Sequence, residues 1–168
     1  LGKHFGFRTI NLIRRPEGAD GLRRLGADEV IVTSETDAGQ RVQEITGGKG
    51  VRYALDCVGG QMGLAAVEAL GAGGTLLVYG TLSDEPIPLN PRTLMVGQKR
   101  IEGFWLSEWT KRQGPLRMLQ LFRAIRTLIR ADVLTSPVQA TYPMDQVREA
   151  VAAAQQTGRT GKILLTLS

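Results

Sequence analysis

The side chains with chemistry to offer are few and lie far apart along the chain. Arg14 and Arg15 close one apolar run, and two adjacent guanidinium groups present a fork of donors that matches a phosphate. Gly59 and Gly60 close a second, Val51 to Gly60 (V-R-Y-A-L-D-C-V-G-G), where missing side chains leave room for something to approach the backbone closely. Gly80 closes a third run, and the bulky pair Phe104-Trp105 lies at the end of a fourth. Cys57 is the single cysteine, which excludes an internal disulfide and a multi-cysteine zinc site within the chain. His4, the single histidine, falls at an expected helix end, where a histidine ordinarily compensates the helix dipole, and it receives no role. No nucleophile, general acid or metal cluster stands out, so no catalytic residue is assigned.

The elements that must position these residues alternate. Leu1 to Gly6 reads as the last turns of a helix with Gly6 as its C-terminal cap. Phe7 to Ile13 is an expected strand, Glu17 to Leu25 a helix with Leu22 and Leu25 inward, and Glu29 to Thr33 a strand. Asp37 to Thr46 is a helix with Val42 and Ile45 on one face, and the glycine turn 47–50 leads into the central strand at Val51, expected to be covered by helices on both faces. Gln61 to Leu70 supplies a further helix and Thr75 to Tyr79 a further strand, after Gly73-Gly74. Strands alternating with short helices through tight glycine turns imply a parallel sheet with right-handed crossovers. Such sheets bind ligands beyond the carboxyl ends of their strands, and the residue closing the second strand of a dinucleotide-binding fold meets the adenosine ribose. Two arginines after a strand are also the ordinary look of solvated charge. Their position in the βαβ pattern gives them a functional reading, in which arginine accommodates a 2′-phosphate and NADP(H) is favoured over NAD(H).

After Gly80 a polar, proline-rich loop ends with Asn90 as a helix cap and Pro91 at the first helical position. Lys99 to Leu106 is an expected strand in which Gly103 marks a bulge or close approach. Pro115 to Arg130 is the clearest helix, with Leu119, Phe122, Ile125 and Ile129 on one face and Arg123, Arg126 and Arg130 on another. Val138 to Tyr142, a helix over Asp145 to Gln156 capped by Asp145, the turn Gly158 to Gly161 and a strand over Lys162 to Leu167 finish the chain. At 168 residues, 42% hydrophobic and 22% charged, the composition is that of a soluble globular protein, with no apolar run of membrane-spanning length. The net charge of +5 comes from scattered arginines without interleaved aromatics, so neither a nucleic-acid partner nor a membrane is expected. No secretory leader is visible and Leu1 is not a natural start, so upstream sequence is expected; the expected location is the cytoplasm, with the mitochondrial matrix open.

L-G-A-D at Leu25 to Asp28, L-D-C-V-G-G at Leu55 to Gly60, V-Y-G at Val78 to Gly80 and G-K-I-L-L at Gly161 to Leu165, in this order and spacing, resemble the medium-chain dehydrogenase/reductase superfamily over essentially the whole chain. Within it, G-F-W-L-S-E-W at Gly103 to Trp109 is similar to the zinc-independent 2-enoyl thioester reductases, the mitochondrial trans-2-enoyl-CoA reductase type. The resemblance implies an α/β fold: a Rossmann-type doubly wound parallel sheet lacking its first strand over residues 1–134, and over residues 135–168 a C-terminal return segment of the catalytic domain. In strand order 3-2-1-4-5-6 the missing strand belongs between Phe7 to Ile13 and Val51 to Cys57, with the glycine-rich pyrophosphate turn and the catalytic tyrosine expected upstream of Leu1.

What the resemblance implies about function is NADPH-dependent reduction of the 2,3 double bond of an enoyl thioester, with a quinone or enone reductase, a zinc-type alcohol dehydrogenase-like member, or a non-catalytic nucleotide-binding module as alternatives. By the same resemblance Arg14 and Arg15 bind the 2′-phosphate, Tyr79, Gly80, Thr81 and Leu82 line the cofactor near the nicotinamide, Phe104, Trp105 and Leu106 border it, and Lys162 reaches the cofactor from the last strand. Two departures stand out. The family has an acid between its arginines where these are adjacent, and Thr81 stands where relatives often repeat glycine. A homodimer through the edge strand Lys99 to Leu106 is expected, with a small acyl thioester as substrate.

Overall fold

Short strands and helices succeed one another because almost every junction carries a residue that stops one and starts the next. The computed structural model describes residues 1–156, 158–159 and 161–167. Its elements are α1 (Gly2–Phe5), β1 (Ile10–Ile13), α2 (Ala19–Arg24), β2 (Glu29–Val32), α3 (Ala38–Thr46), β3 (Val51–Asp56), α4 (Gly60–Glu68), β4 (Leu70–Val78), α5 (Pro91–Met95), β5 (Arg100–Gly103), α6 (Leu106–Lys111), α7 (Pro115–Arg130), β6 (Val138–Pro143), α8 (Val147–Gln155) and β7 (Lys162–Thr166). They group into two compact units, Arg8–Pro115, and Leu1–Phe7 together with Leu116–Ser168.

In the larger unit every strand pairing is parallel. β1 pairs with β2 from Ile10 opposite Glu29 to Ile13 opposite Val32, and β4 lies between β3 and β5. Asp37 starts α3 by accepting the Gln40 N–H at 2.8 Å, and Gly47, at φ 61°, ends it. The apolar stripe of α3 is buried: Ala38 and Val42 form a cluster with Ile31 and Ala69, and Ile10 and Leu12 of β1 and Val51 of β3 pack against it. The β1–β2 pair and the β3–β4–β5 sheet therefore share one core, although among the described residues no strand joins β1 to β3. That pairing order is the one in which a strand is missing between β1 and β3. A second cluster, Ala66, Val67, Leu70 and Leu76, fixes α4 on β4. Lys99 pins the start of β5 to α4 by donating from Nζ to the carbonyls of Val67 and Glu68 at 3.0 and 3.3 Å. Burial lowers its pKa, and the nearby Glu68 carboxylate opposes that shift.

Several sequence expectations change. β3 is covered on one face only: Tyr53 and Leu55 are 67% and 70% exposed, because α4 packs on the face that carries Ala54 and Asp56. Leu25 is exposed, and Ala19 is the buried residue of α2. β4 begins at Leu70, opposite Val51, and loops out 71–74 before pairing resumes at Thr75 opposite Tyr53. β5 is shorter than Lys99 to Leu106. It stops at Gly103, where a side chain would meet open space and the register runs without a shift, so Gly103 is neither a bulge nor a close approach. Leu106 instead opens α6.

In the smaller unit Gly6, at φ 74°, closes α1 by donating its N–H to Gly2 O. On α7 the half-buried stripe is Met118, Leu121, Ile125 and Leu128, a spacing of three or four residues. Leu119, Phe122 and Ile129 lie off that stripe and are exposed. β6 and β7 pair in parallel and α8 follows β6. Asp145 does not cap α8; it lies inside a short 3₁₀ turn, Met144–Gln146, that precedes the helix. Thr160, in the expected turn Gly158 to Gly161, lies outside the described residues.

Candidate functional site

Beyond the ends of β3 and β4 the two chains stay paired through their loops. Tyr79 donates its N–H to Asp56 O at 2.8 Å, Leu82 to Cys57 O at 3.0 Å and Ser83 to Val58 O at 2.9 Å, while Gly60 donates to Glu85 O at 3.0 Å. Ser83 Oγ also donates to Val58 O, at 2.7 Å, and accepts from Glu85 N at 3.3 Å. Residues 79–85 thus form a strap across the turn 56–60. Phe104 joins the same rim by donating its N–H to Val78 O at 2.8 Å.

Asp56 ties the turn from below. Its carboxylate, only 5% exposed, accepts from Val58 N at 2.8 Å and from Gly59 N at 3.2 Å. Gly59, at φ 80° and ψ −160°, adopts a conformation that only glycine takes up without strain. The room at Gly59-Gly60 is filled by the chain itself: a Cβ on Gly59 would stand 3.1 Å from Glu85 O, and one on Gly60 would stand 2.8 Å from the Glu85 carboxylate. Their N–H groups are also committed to Asp56 and Glu85. This corrects the expectation that these glycines admit a ligand to the backbone; they admit the strap.

Tyr79, Thr81 and Leu82 are exposed on the strap, with Gly80 half-buried against Cys57. Hydrogen bonding with the Cys57 side chain first, then burial and the charges of Cys57 and Asp56, raises the pKa of the Tyr79 phenol above 10.0. Phe104 packs at a tilt on Trp109, ring centres 6.1 Å apart, while Trp105 is 74% exposed. Leu106 is also exposed, at the start of α6. The structure therefore brings Tyr79, Gly80, Thr81 and Leu82 together with Phe104, and places Trp105 and Leu106 next along the chain.

Arg14 and Arg15 are exposed immediately after β1, and neither has an ion-pair partner among the described residues. Lys162 opens β7 in the other unit, where with Arg159, Gly161 and Pro137 it lines an open pocket of about 300 Å³. A cleft of about 230 Å³ in the larger unit lies between Thr33, the start of α3 and α4, and none of the expected cofactor residues lines it. Among the described residues no group of three or more His, Cys, Asp or Glu could hold a metal ion, so the residues present do not fit zinc. Among the described residues no helix is long and apolar enough to cross a membrane.

The family model described as zinc-binding dehydrogenase matches residues 1–123. The chain belongs to this family, as part of the medium-chain dehydrogenase/reductases. It is 31% identical over 166 residues to the human mitochondrial enoyl-acyl-carrier-protein reductase, covering 96% of this chain and 44% of the relative, and 30% identical over 174 residues to the Dictyostelium discoideum enzyme of the same name, covering 99% and 49%. The chain thus spans about half the length of the curated relatives it matches. Among solved structures, a Bacillus thuringiensis protein provisionally assigned as an NADPH:quinone reductase aligns with a TM-score of 0.90 and 29% identity over 99% of this chain and 51% of that one. A 2-haloacrylate reductase aligns with a TM-score of 0.86 and 27% identity, over 99% and 52%. The Rossmann-like parallel α/β architecture is common to this dehydrogenase group.

Asp56 and Ser83 escape a reading by residue type, since neither stands in a cluster of reactive side chains. Asp56 instead bonds its own backbone two residues on, at Val58 N.

Proposed function

We propose that the protein carrying this chain is an NADP(H)-dependent oxidoreductase that reduces the 2,3 double bond of an enoyl thioester, and that the chain is its cofactor-binding part. The observation that carries this reading is the likeness to enoyl-acyl-carrier-protein reductases across nearly the whole chain. Residues 1–134 are assigned to the dinucleotide-binding domain and 135–168 to the return segment of the catalytic domain. The cationic pair Arg14-Arg15, exposed and unpaired among the described residues, fits a 2′-phosphate by charge and fork geometry. Tyr79, Gly80, Thr81 and Leu82 orient the nicotinamide end from one strand, and Phe104, Trp105 and Leu106 border it from the next, shielding it from water. Lys162 adds a positive charge from β7. Bound NADPH supplies the hydride. The mitochondrial names of the curated relatives support the matrix as the location, with the cytoplasm as the alternative. The protein acts as a homodimer through the free edge of β5.

A second reading, a quinone reductase, is supported by the TM-score of 0.90 to the Bacillus thuringiensis structure. Steady-state assays with NADPH on the intact protein separate the two. Turnover of a trans-2-enoyl thioester is expected, and turnover of quinones with none of enoyl thioesters would replace the first reading with the second.

A further inference from the structure

Asp56 is the one charged side chain among the described residues that is buried, and no cationic side chain pairs with it there. A buried carboxylate is costly unless hydrogen bonds compensate it, so a chain that keeps one commits it to a definite geometry. Here the compensation comes from the Val58 and Gly59 N–H groups and from the adjoining N-terminus of α4. Gly63 completes the arrangement, because a Cβ there would come within 2.8 Å of Asp56 Oδ2. From above, Ser83 Oγ bridges Val58 O and Glu85 N. Val58 is therefore gripped through both backbone groups, its N–H by Asp56 and its carbonyl by Ser83.

Besides these side-chain bonds, the strap is held by backbone hydrogen bonds to the turn, from Tyr79, Leu82 and Ser83 N–H and to Glu85 O, and it has no core packing of its own. Tyr79, Thr81, Leu82, Ser83, Asp84 and Glu85 are all exposed, and apolar anchoring resumes only at Ile87 and Leu89, which pack on the α4–β4 core. An exposed segment without core packing takes its path from its hydrogen bonds. We propose that Asp56 and Ser83 act as one clamp that fixes the Tyr79–Leu82 rim, Asp56 being a positioning residue that never touches the cofactor. The consequence for cofactor binding rests on the proposed function; the clamp itself does not.

The test uses the intact protein with Asp56→Ala, Asp56→Asn, Ser83→Ala and the Asp56→Ala/Ser83→Ala double variant. Three quantities are read: the NADPH dissociation constant, the KM-against-kcat split, and the ¹³C resonance of the Tyr79 ring without cofactor. Asp56→Ala and Ser83→Ala are each expected to weaken NADPH binding about tenfold, with KM rising more than kcat falls. The double variant should be little worse than the poorer single one, because one device fails only once. Asp56→Asn keeps an acceptor for Val58 N but turns an amide N–H₂ toward Gly59 N–H, and an intermediate loss of about threefold is expected. The Tyr79 resonance should move in every variant. If Asp56→Ala does not fold, Ser83→Ala, altered at an exposed side chain, carries the test. A folded Ser83→Ala protein with the parent's Tyr79 resonance and NADPH affinity overturns the clamp, as does a fall in melting temperature alone. If the parent binds no NADPH yet Tyr79 still moves in the variants, the clamp stands and the cofactor reading falls.

Discussion

Tyr79 is the one rim side chain whose ionisation reports its neighbour. Hydrogen bonding with the Cys57 side chain is the first cause that raises its pKa above 10.0, ahead of burial. The folded chain then holds this proton to higher pH than the unfolded chain does. The stability so contributed is complete below about pH 10 and is lost as pH rises through the folded pKa of Tyr79, because the unfolded phenol ionises first. With half of the side chain in water the contribution is small. Cys57→Ala removes the first cause, so the Tyr79 titration, followed by NMR of ring-labelled tyrosine, is expected to move down toward 10.0; an unmoved curve would exclude the thiol as partner. Arg14 and Arg15 belong to the same scale. A charge-assisted phosphate contact contributes roughly 1.5 to 3 kcal/mol, so changing both arginines to alanine in the intact protein should cut the NADPH-over-NADH preference by about tenfold to a hundredfold. An unchanged ratio of the two dissociation constants would reject the assignment.

Among the elements, the β3–β4 pair shows how much of the fold its glycines carry. Gly71 passes directly against the Lys49 carbonyl where β3 begins, and Gly50, at φ 66°, faces the Gly71 backbone at 2.5 Å from its would-be Cβ. Backbone on both sides cannot swing away as a side chain can, so Gly71→Ala is expected to cost about 3 kcal/mol. Gly21, inside α2 with open space around it, is the control: Gly21→Ala should gain about 0.5 to 1 kcal/mol. Chemical denaturation of both variants measures the contrast, and equal midpoints would refute it. Which elements were legible follows from the same physics. α3 announced itself through Asp37, Val42 and Gly47, a cap, an apolar stripe and a left-handed stop. β5 was read too long because Phe104, Trp105 and Leu106 continue its apolar run, and hydrophobicity does not record that a helix starts at Leu106. Composition likewise could not say which face of β3 lies bare at Tyr53 and Leu55. That Arg14 and Arg15 follow a strand was legible; the burial of Asp56 was not, because its partners are backbone amides.

For the whole molecule the deciding feature is the outer edge of β5, which ends the β3–β4–β5 sheet with Arg100, Ile101, Glu102 and Gly103 all exposed. Such an edge is a template for another strand. If it pairs with its own copy about a two-fold axis, the strands run antiparallel, and an axis through Ile101 sets Arg100 of each protomer opposite Glu102 of the other. The edge is self-complementary in that register. Opposite charges facing across strands contribute roughly 0.2 to 1 kcal/mol a pair, like charges oppose by similar amounts, and the symmetry counts each pair twice. A pairing this short buries too little to hold a dimer by itself, so the exposed Trp105 and Leu106 beside it must add apolar area. Sedimentation of the intact protein at micromolar concentration is expected to show a dimer. Arg100→Glu, which sets carboxylate against carboxylate twice, should weaken it roughly tenfold, and the exchange Arg100→Glu/Glu102→Arg should restore it. A monomeric parent removes the interface altogether. A dimer indifferent to Arg100→Glu would place the axis elsewhere, since only the register centred on Ile101 brings those two charges face to face.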